Sequence, residues 1–161
     1  MDGIINSKNE SLMKLHFDSN QQYQLDAIKS ITDIFEGQPL NGGDFEFSIY
    51  PAGALHSENG FGNRLNLSVE QIWQNVQTIQ NTNEIKNDKE ALEGMNFSVE
   101  METGTGKTYV YLRTIFELHK LYGFKKYVIV VPSVAIREGV LKNLQITQEH
   151  FQNLYESACK S

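Results

Sequence analysis

The sequence predicts an α/β domain, with a parallel sheet between flanking helices, an amino-terminal helix and a β-hairpin-like insertion. Two stretches of the 161-residue chain favour this fold class. The letters KKYVIVVP at 125–132 form an apolar, β-branched run that is typical of a parallel strand buried on both faces. The letters TGTGKT at 103–108 lie between a short strand pattern and a long helix pattern. Strand, glycine turn, helix and strand in that order indicate a βαβ unit.

The first element is a helix in NQQYQLDAIKSITDIFEG at 20–37, which Gly37 ends. The next stretch, about 40–67, is rich in glycine and predicts an insertion with a strand at 45–50 and a returning strand at 64–67. Residues of the first helix that are predicted to face the core share helical spacing: Tyr23, Ala27, Ile28, Ile31, Ile34 and Phe35.

A second helix begins at a capping box, in which Ser68 is followed three residues later by Gln71. The stretch 96–101 predicts a short strand, and 107–123 predicts a helix that ends in glycine. Ser133 caps a further helix. Four residues of the second helix are predicted to be buried: Ile72, Trp73, Val76 and Ile79.

The composition is that of one ordinary globular domain, because 40% of the residues are hydrophobic and can fill a core. No apolar run in the sequence approaches the roughly 20 residues that a bilayer-spanning helix needs. The start MDGIINSKNE also lacks the basic and then apolar layout of a signal peptide. We therefore expect a cytoplasmic location, which the single cysteine, Cys159, also fits. The four histidines are scattered along the sequence, so we predict no metal cage.

The net charge of −6 hides an asymmetry along the chain. Residues 1–100 have 6 basic and 15 acidic side chains, a net charge of −9, whereas residues 101–161 have 8 basic and 5 acidic side chains, a net charge of +3. An acidic chain is a poor general binder of nucleic acid, because phosphates attract a local excess of Lys and Arg. The basic part is the part that contains the glycine-rich loop.

The letters TGTGKT have the chemistry of a phosphate-binding loop. Gly104 and Gly106 let the backbone turn so that amide N–H groups form a concave nest for phosphate oxygens, at the positive end of the following helix. Lys107 is the candidate for reaching the β- and γ-phosphates of a nucleotide. The Thr108 hydroxyl is the candidate ligand of its Mg²⁺.

Met101 departs from the strict pattern G-x-x-x-x-G-K-[ST], which has glycine at that place. Helicases and translocases of superfamily 2 have a first motif A-x-T-G-x-G-K-T, whose leading residue is not always glycine, and METGTGKT resembles it. Glu100 and Glu102 flank the methionine, and carboxylates repel phosphates. We therefore expect both carboxylates to point away from the loop or to pair with Lys or Arg.

Two further segments resemble motifs of the same superfamily. YQLDAIKSI is similar to the Q-tip element, in which one glutamine reads adenine through its amide group. Gln24 is the candidate, with Tyr23 or Phe17 as its stacking neighbour.

VIVVPSVAIREGV is similar to motif Ia, which contacts a nucleic-acid backbone in that superfamily. The resemblance implies Pro132 and Ser133 as nucleic-acid contacts, at a helix start that suits a phosphate. For DNA, Lys125, Lys126 and Arg137 are the basic surface candidates.

Together, YQLDAIKSI, METGTGKTYVYLRTIFEL and KKYVIVVPSVAIREGVLK resemble the amino-terminal part of the Res subunit of type III restriction enzymes, over roughly residues 17–145. The resemblance implies part of a RecA-like P-loop NTPase domain. Residues 1–95 would hold the Q-tip-like element and the insertion, and residues 96–161 the first part of the ATPase domain. The implied nucleotide site consists of Gln24, Thr103, Gly104, Thr105, Gly106, Lys107 and Thr108, with Lys107 and Thr108 as its catalytic residues.

The same resemblance implies a parent enzyme that is an ATP-dependent DNA translocase and a site-specific endonuclease. Its cofactors would be ATP and Mg²⁺, and its partners double-stranded DNA and a Mod methyltransferase subunit. The sequence contains no adjacent Asp-Glu pair, although the superfamily positions Mg²⁺ and water with a D-E-x-H motif. We therefore expect the 161-residue chain to bind ATP weakly, to hydrolyse it negligibly and to cleave no DNA.

Three alternatives stay open at this point. A small P-loop kinase or GTPase would account for the GKT ending, and another superfamily 2 helicase would account for the three motifs. A non-enzymatic module, whose acidic residues 1–100 dock a partner protein, would account for the charge asymmetry.

Overall fold

The computed structural model describes residues 17–40, 63–85 and 95–156 of the chain. Its elements in chain order are α1 (Gln22–Thr32), a 3₁₀ turn (Asp33–Phe35), α2 (Val69–Thr82), α3 (Lys107–Tyr122) and α4 (Val134–Glu156). α1 and α4 both pack against α3, and α2 packs against the 3₁₀ turn. Within the described ranges, no helix has the length and apolarity needed to cross a membrane.

The predicted α/β class with a parallel sheet is wrong for the described residues, which are helical and contain no strand. The stretches 64–67, 96–101 and 125–132, predicted as strands, have no regular secondary structure. Val128 and Val130, which were expected to be buried on both faces of a sheet, are 89% and 88% exposed. The predicted strand at 45–50, with most of the insertion, lies outside the described residues.

The physical reason is that a β-branched run becomes a strand only when a second strand supplies partners for its backbone. In the described residues, the backbone of 125–126 is instead bound by one side chain from a distant part of the chain. Asn63 Oδ1 accepts from the amides of Lys125 and Lys126 at 2.8 and 3.1 Å, and Asn63 Nδ2 donates to the Lys126 carbonyl at 2.7 Å.

The helix predicted near the amino terminus is confirmed as α1 and the 3₁₀ turn, and Gly37 follows with φ +88°. Ala27 and Ile28 of α1 are buried against Val110 of α3. The prediction for Tyr23 is wrong, because this side chain is 50% exposed. Its position satisfies the helical period, but the apolar face of α1 is turned toward α3.

Helix α2 begins at the predicted capping box. Ser68 Oγ accepts from the Gln71 amide at 3.3 Å, and Gln71 Oε1 accepts from the Ser68 amide at 2.8 Å. The helix places Ile72 and Val76 against Ile34, with Trp73 and Ile79 half-buried beside them. All four residues predicted for this apolar face therefore pack where the sequence places them.

Two more side-chain amides hold the segments that flank α2. Asn75 Nδ2 donates to the carbonyls of Ile34 and Glu36 at 3.0 and 2.9 Å. Gln38 Nε2 donates to the Arg64 carbonyl at 3.0 Å, and Gln38 Oε1 accepts from the Asn66 amide at 2.9 Å. These bonds fix the chain on either side of residues 41–62.

Helices α3 and α4 meet in an aromatic layer. Tyr109 and Leu112 of α3 are buried together with Phe151 of α4. The rings of Tyr109 and Phe151 stack with centroids 5.3 Å apart, and those of Phe116 and Tyr155 stack at 5.1 Å. Stacked pairs of this kind add stability beyond the apolar area that they bury. Gly123 ends α3 in the left-handed conformation, as predicted.

We expect Leu112→Ala to lower the free energy of unfolding by about 2–5 kcal/mol, because Leu112 is only 2% exposed and its removal leaves a cavity. The matched control is Leu121→Ala on the same helix, where the leucine is 46% exposed and the loss should stay within about 0.5 kcal/mol. Urea unfolding followed by circular dichroism measures both. Equal losses in the two variants would show that α3 is not the buried helix.

Candidate functional site

A cavity of about 600 Å³ opens where α1, α3 and α4 approach one another. One wall comes from the start of the described chain and α1, the floor from the glycine-rich loop and the first turn of α3, and the far wall from α4. The lining residues are Phe17, Asp18, Gln21, Gln24, Thr103, Gly104, Gly106, Lys107, Thr108, Tyr109 and Asn143.

The loop adopts the conformation that its two glycines permit. Gly104 and Gly106 both have φ of +83°, in the left-handed region that residues with a side chain rarely adopt. Gly106 is the residue before α3, and its carbonyl accepts the first helical bond from Val110 at 3.0 Å. The first amides of α3 have no helical partner and form its positive end. The cavity floor is therefore suited to an anion such as a phosphate group.

Two side chains of the loop, Lys107 and Thr105, are hydrogen-bonded to the backbone of the loop itself. Lys107 Nζ donates to the Glu102 carbonyl at 2.8 Å, and Thr105 Oγ1 donates to the same carbonyl at 2.6 Å. The Lys107 side chain is exposed, so its ammonium group can exchange this carbonyl for a phosphate oxygen without leaving a buried charge behind.

Met101 is explained by packing. It is half-buried and contacts the cluster of Ala27, Ile28 and Val110, so this loop position joins α1 to α3. Glu100 and Glu102 are exposed and line a different cavity, bounded by α1 and α2. Their predicted orientation away from the phosphate loop is consistent with that position. Neither is in an ion pair within the described ranges.

Gln24 lies in the cavity wall, as its predicted role requires. The side chain is 7% exposed, and its Nε2 donates to the Thr105 carbonyl at 2.9 Å across 81 residues of sequence. A Cβ atom on Gly106 would approach this Nε2 to 2.8 Å, closer than real Cβ contacts come. Gly106 is therefore favoured by its left-handed backbone conformation, and a Cβ there would displace the end of the Gln24 side chain.

Of the two aromatic candidates for stacking on a base, Phe17 lines this cavity and Tyr23 lines the other one. The Phe17 ring stacks on Tyr109 with centroids 6.1 Å apart and planes 7° apart. Tyr109 Oη is 2.9 Å from His150 Nε2 of α4. Burial raises the pKa of Tyr109 above its usual value near 10, so the phenol is neutral at physiological pH.

Arg113 fixes the wall that contains Phe17. It is buried in α3, and its Nη1 donates to the Ser19 carbonyl at 2.5 Å, while its Nε lies 3.8 Å from Glu117 Oε1. Tyr155 of α4 donates to the same carboxylate oxygen at 2.8 Å. Burial, first, and then the Glu117 carboxylate raise the pKa of Tyr155. This network connects α4, α3 and the start of the described chain.

The predicted nucleic-acid residues do not line the cavity. Pro132, Ser133 and Arg137 are exposed at the start of α4. Ser133 Oγ accepts from the Ile136 amide at 3.3 Å, which confirms the predicted cap. Arg137 Nη2 donates to Glu138 Oε1 at 2.9 Å, in a pair whose side chains are both more than half exposed.

The sequence did not predict four of the lining residues. Asp18 and Gln21 lie just before the Q-tip-like element, and Tyr109 directly follows the GKT letters, so proximity in sequence could have indicated them. Asn143 comes from the middle of α4, and its Nδ2 donates to the Gly139 carbonyl of its own helix. No local pattern around Asn143 indicates a site, because only the packing of α4 on α3 brings it to the cavity.

We expect Gly106→Ala to destabilise the fold more than Gly104→Ala. Each substitution places a side chain at φ +83°, which costs about 1–2 kcal/mol, but only the Cβ at position 106 collides with Gln24, whereas nothing lies within 4 Å of the one at position 104. Urea unfolding measures the two losses. The second substitution Gln24→Ala should recover part of the Gly106→Ala loss, and strictly additive losses would contradict the contact.

The family model described as "Type III restriction enzyme, res subunit" matches residues 18–160 of the chain. The type III restriction-modification enzyme EcoPI Res subunit of Escherichia phage P1 is 34% identical over 131 residues, which are 74% of this chain and 13% of that protein. The EcoP15I Res subunit of Escherichia coli is 38% identical over 96 residues, or 57% of this chain and 10% of the relative.

A third relative is the StyLTI Res subunit of Salmonella typhimurium, which is 50% identical over 64 residues. Those residues are 38% of this chain and 6% of that protein. The chain thus spans at most 13% of the length of these relatives.

Proposed function

The chain belongs to the family of type III restriction enzyme Res subunits, and on that premise we propose that the cavity between α1, α3 and α4 binds ATP with Mg²⁺. This membership removes the alternative of a small P-loop kinase or GTPase. It also makes the chain part of a restriction system subunit. ATP binding, DNA contact and partner choice are the further steps of the proposal.

The observation that supports an ATP site is the meeting of the phosphate loop with Gln24 in one cavity. Thr103, Gly104, Gly106 and the first turn of α3 form an anion-binding floor, and Lys107 adds a mobile positive charge. Gln24 and Phe17 lie along the wall, where an adenine ring can be hydrogen-bonded and stacked. The residues present therefore fit a nucleoside triphosphate.

In this proposal the roles divide by chemistry. Lys107 binds the β- and γ-phosphates and neutralises charge as it develops, and the Thr108 hydroxyl holds Mg²⁺. When bound, the metal would neutralise part of the negative charge of the phosphates. The Thr105 carbonyl accepts from Gln24 and the Thr105 hydroxyl donates to the Glu102 carbonyl, and Thr105 lines the cavity bounded by α1 and α2, not the proposed ATP site.

We further propose that the start of α4 contacts a DNA backbone. Pro132 and Ser133 are exposed at a helix start, and Arg137 lies one turn further along the same helix. Residues 101–161 have a net charge of +3 from 8 basic and 5 acidic side chains, which favours a polyanion over this part of the chain.

The proposal also includes the functions of the whole protein. The family supports a parent that moves along double-stranded DNA with ATP, cleaves it, and works with a Mod methyltransferase subunit. A cytoplasmic location is proposed with them. We also propose that the chain divides into residues 1–95, which contain the Q-tip-like element, and residues 96–161, which contain the phosphate loop.

Lys107→Ala should weaken ATP binding by the 161-residue chain at least tenfold, because one charge-assisted hydrogen bond to phosphate contributes about 1.5–3 kcal/mol. Titration of the chain with a fluorescent ATP analogue and Mg²⁺ measures this. Lys120→Ala is the matched control, since Lys120 is exposed near the other end of α3 and should leave the affinity unchanged. Equal effects of the two substitutions, or no binding by the unaltered chain, would contradict the proposed site.

Arg137→Ala should weaken binding of a short DNA duplex and lower the slope of log affinity against log salt by about 0.9, the value of one lost phosphate contact. Fluorescence anisotropy over a salt series measures both quantities. Lys142→Ala, an exposed change further along α4, is the control and should leave the slope unaltered.

Glu138→Gln tests the same contact from the opposite side. Removing this carboxylate frees the Arg137 guanidinium from its neighbour and should tighten DNA binding. Identical DNA affinity of Arg137→Ala, Glu138→Gln and the control Lys142→Ala would contradict a DNA contact at the start of α4.

A further inference from the structure

The Gln24 side chain is oriented by the atom that it faces. The Thr105 carbonyl can only accept a hydrogen bond, so the Gln24 atom 2.9 Å away is the amide nitrogen. The second, longer contact of that nitrogen is to the Tyr23 hydroxyl at 3.5 Å. Both hydrogen bonds that the Gln24 side chain makes among the described residues therefore use Nε2, and its Oε1 is the atom left for a ligand.

The contact falls at the most constrained point of the loop. Thr105 lies between the two residues with φ of +83°, Gly104 and Gly106, and its hydroxyl is also committed, to the Glu102 carbonyl at 2.6 Å. Gln24 is buried, and its bond to the Thr105 carbonyl is partly buried, so water competes less for this carbonyl than it would at an exposed position. Without it, the Thr105 carbonyl would have no partner among the described residues and the loop could turn it elsewhere.

We propose that Gln24 is a positioning residue for the phosphate loop, and that it connects the base end of the site to the phosphate end. The nitrogen holds the Thr105 carbonyl, and the oxygen accepts from the exocyclic amino group of an adenine. This inference rests on the proposed ATP site and extends it, because a glutamine that only read the base would have no effect on a ligand without a base.

Gln22, another glutamine at the start of α1, differs from Gln24 in its contacts. Gln22 is exposed, and its Nε2 donates to Asp26 Oδ1 of the same helix at 2.7 Å. It contacts neither the loop nor the cavity. Gln22→Met is therefore the matched control for Gln24→Met, in which a side chain of similar length replaces the amide without a donor or an acceptor.

Inorganic tripolyphosphate with Mg²⁺ is the probe that distinguishes positioning from base reading. Gln24→Met should weaken tripolyphosphate binding about three- to tenfold, the loss of one buried hydrogen bond, and should weaken ATP binding by more because the base contact is lost too. Gln22→Met should change neither. Unchanged tripolyphosphate affinity with weakened ATP affinity in Gln24→Met would overturn the positioning role and leave the ATP site standing.

Hydrogen exchange of the ligand-free chain tests the same role without any ligand. Gln24→Met should raise the exchange rate of amides in 103–108 selectively, whereas amides of the α2 core around Ile72 should keep their protection. Equal loss of protection in both regions would mean general unfolding and would overturn the inference. If the unaltered chain binds neither probe, the ATP proposal fails, and the exchange result still decides whether Gln24 holds the loop.

Discussion

The described structure depends on the burial of helix α3. Its first residue ends the glycine-rich loop, its buried face receives Ala27 and Ile28 of α1, and its other side receives Phe151 of α4. A helix of this length is marginal alone in water, so these contacts stabilise it rather than its own propensity. Because the loop leads directly into α3, every contact that orients the helix also orients the cavity floor.

Side-chain amides connect distant segments of this chain, as backbone hydrogen bonds between strands do in a sheet. Gln24, Gln38, Asn63 and Asn75 each bind backbone groups of a segment that is distant in sequence. One amide offers a donor group and an acceptor group in one plane, so it can satisfy a carbonyl and an amide of the same segment, as Gln38 and Asn63 do. Such bonds fix individual points of the chain, whereas a ladder would fix its whole length. Val128 and Val130 accordingly remain exposed although the nearby residues 125–126 are held.

The features that could be predicted from sequence are those with local causes. The capping box at Ser68, the glycine end of α3 and the cap at Ser133 are each decided within a few residues, and all three were predicted. The absence of a sheet from the described residues could not be predicted, because strand formation depends on partners far away in sequence. The site divides in the same way: the loop and Gln24 have recognisable neighbours, whereas Asn143 reaches the cavity only through the packing of α4.

The leading methionine of the loop and its last glycine illustrate why a motif must be interpreted together with its contacts. A glycine at 101 would leave the space between Ala27, Ile28 and Val110 unfilled, so methionine there stabilises the position of α1 on α3. That position in turn brings Gln24 to the Thr105 carbonyl, and a Cβ on Gly106 would displace the end of the Gln24 side chain. The close approach of α1 thus accounts for methionine at 101 and adds to the preference for glycine at 106, which the φ of +83° already favours.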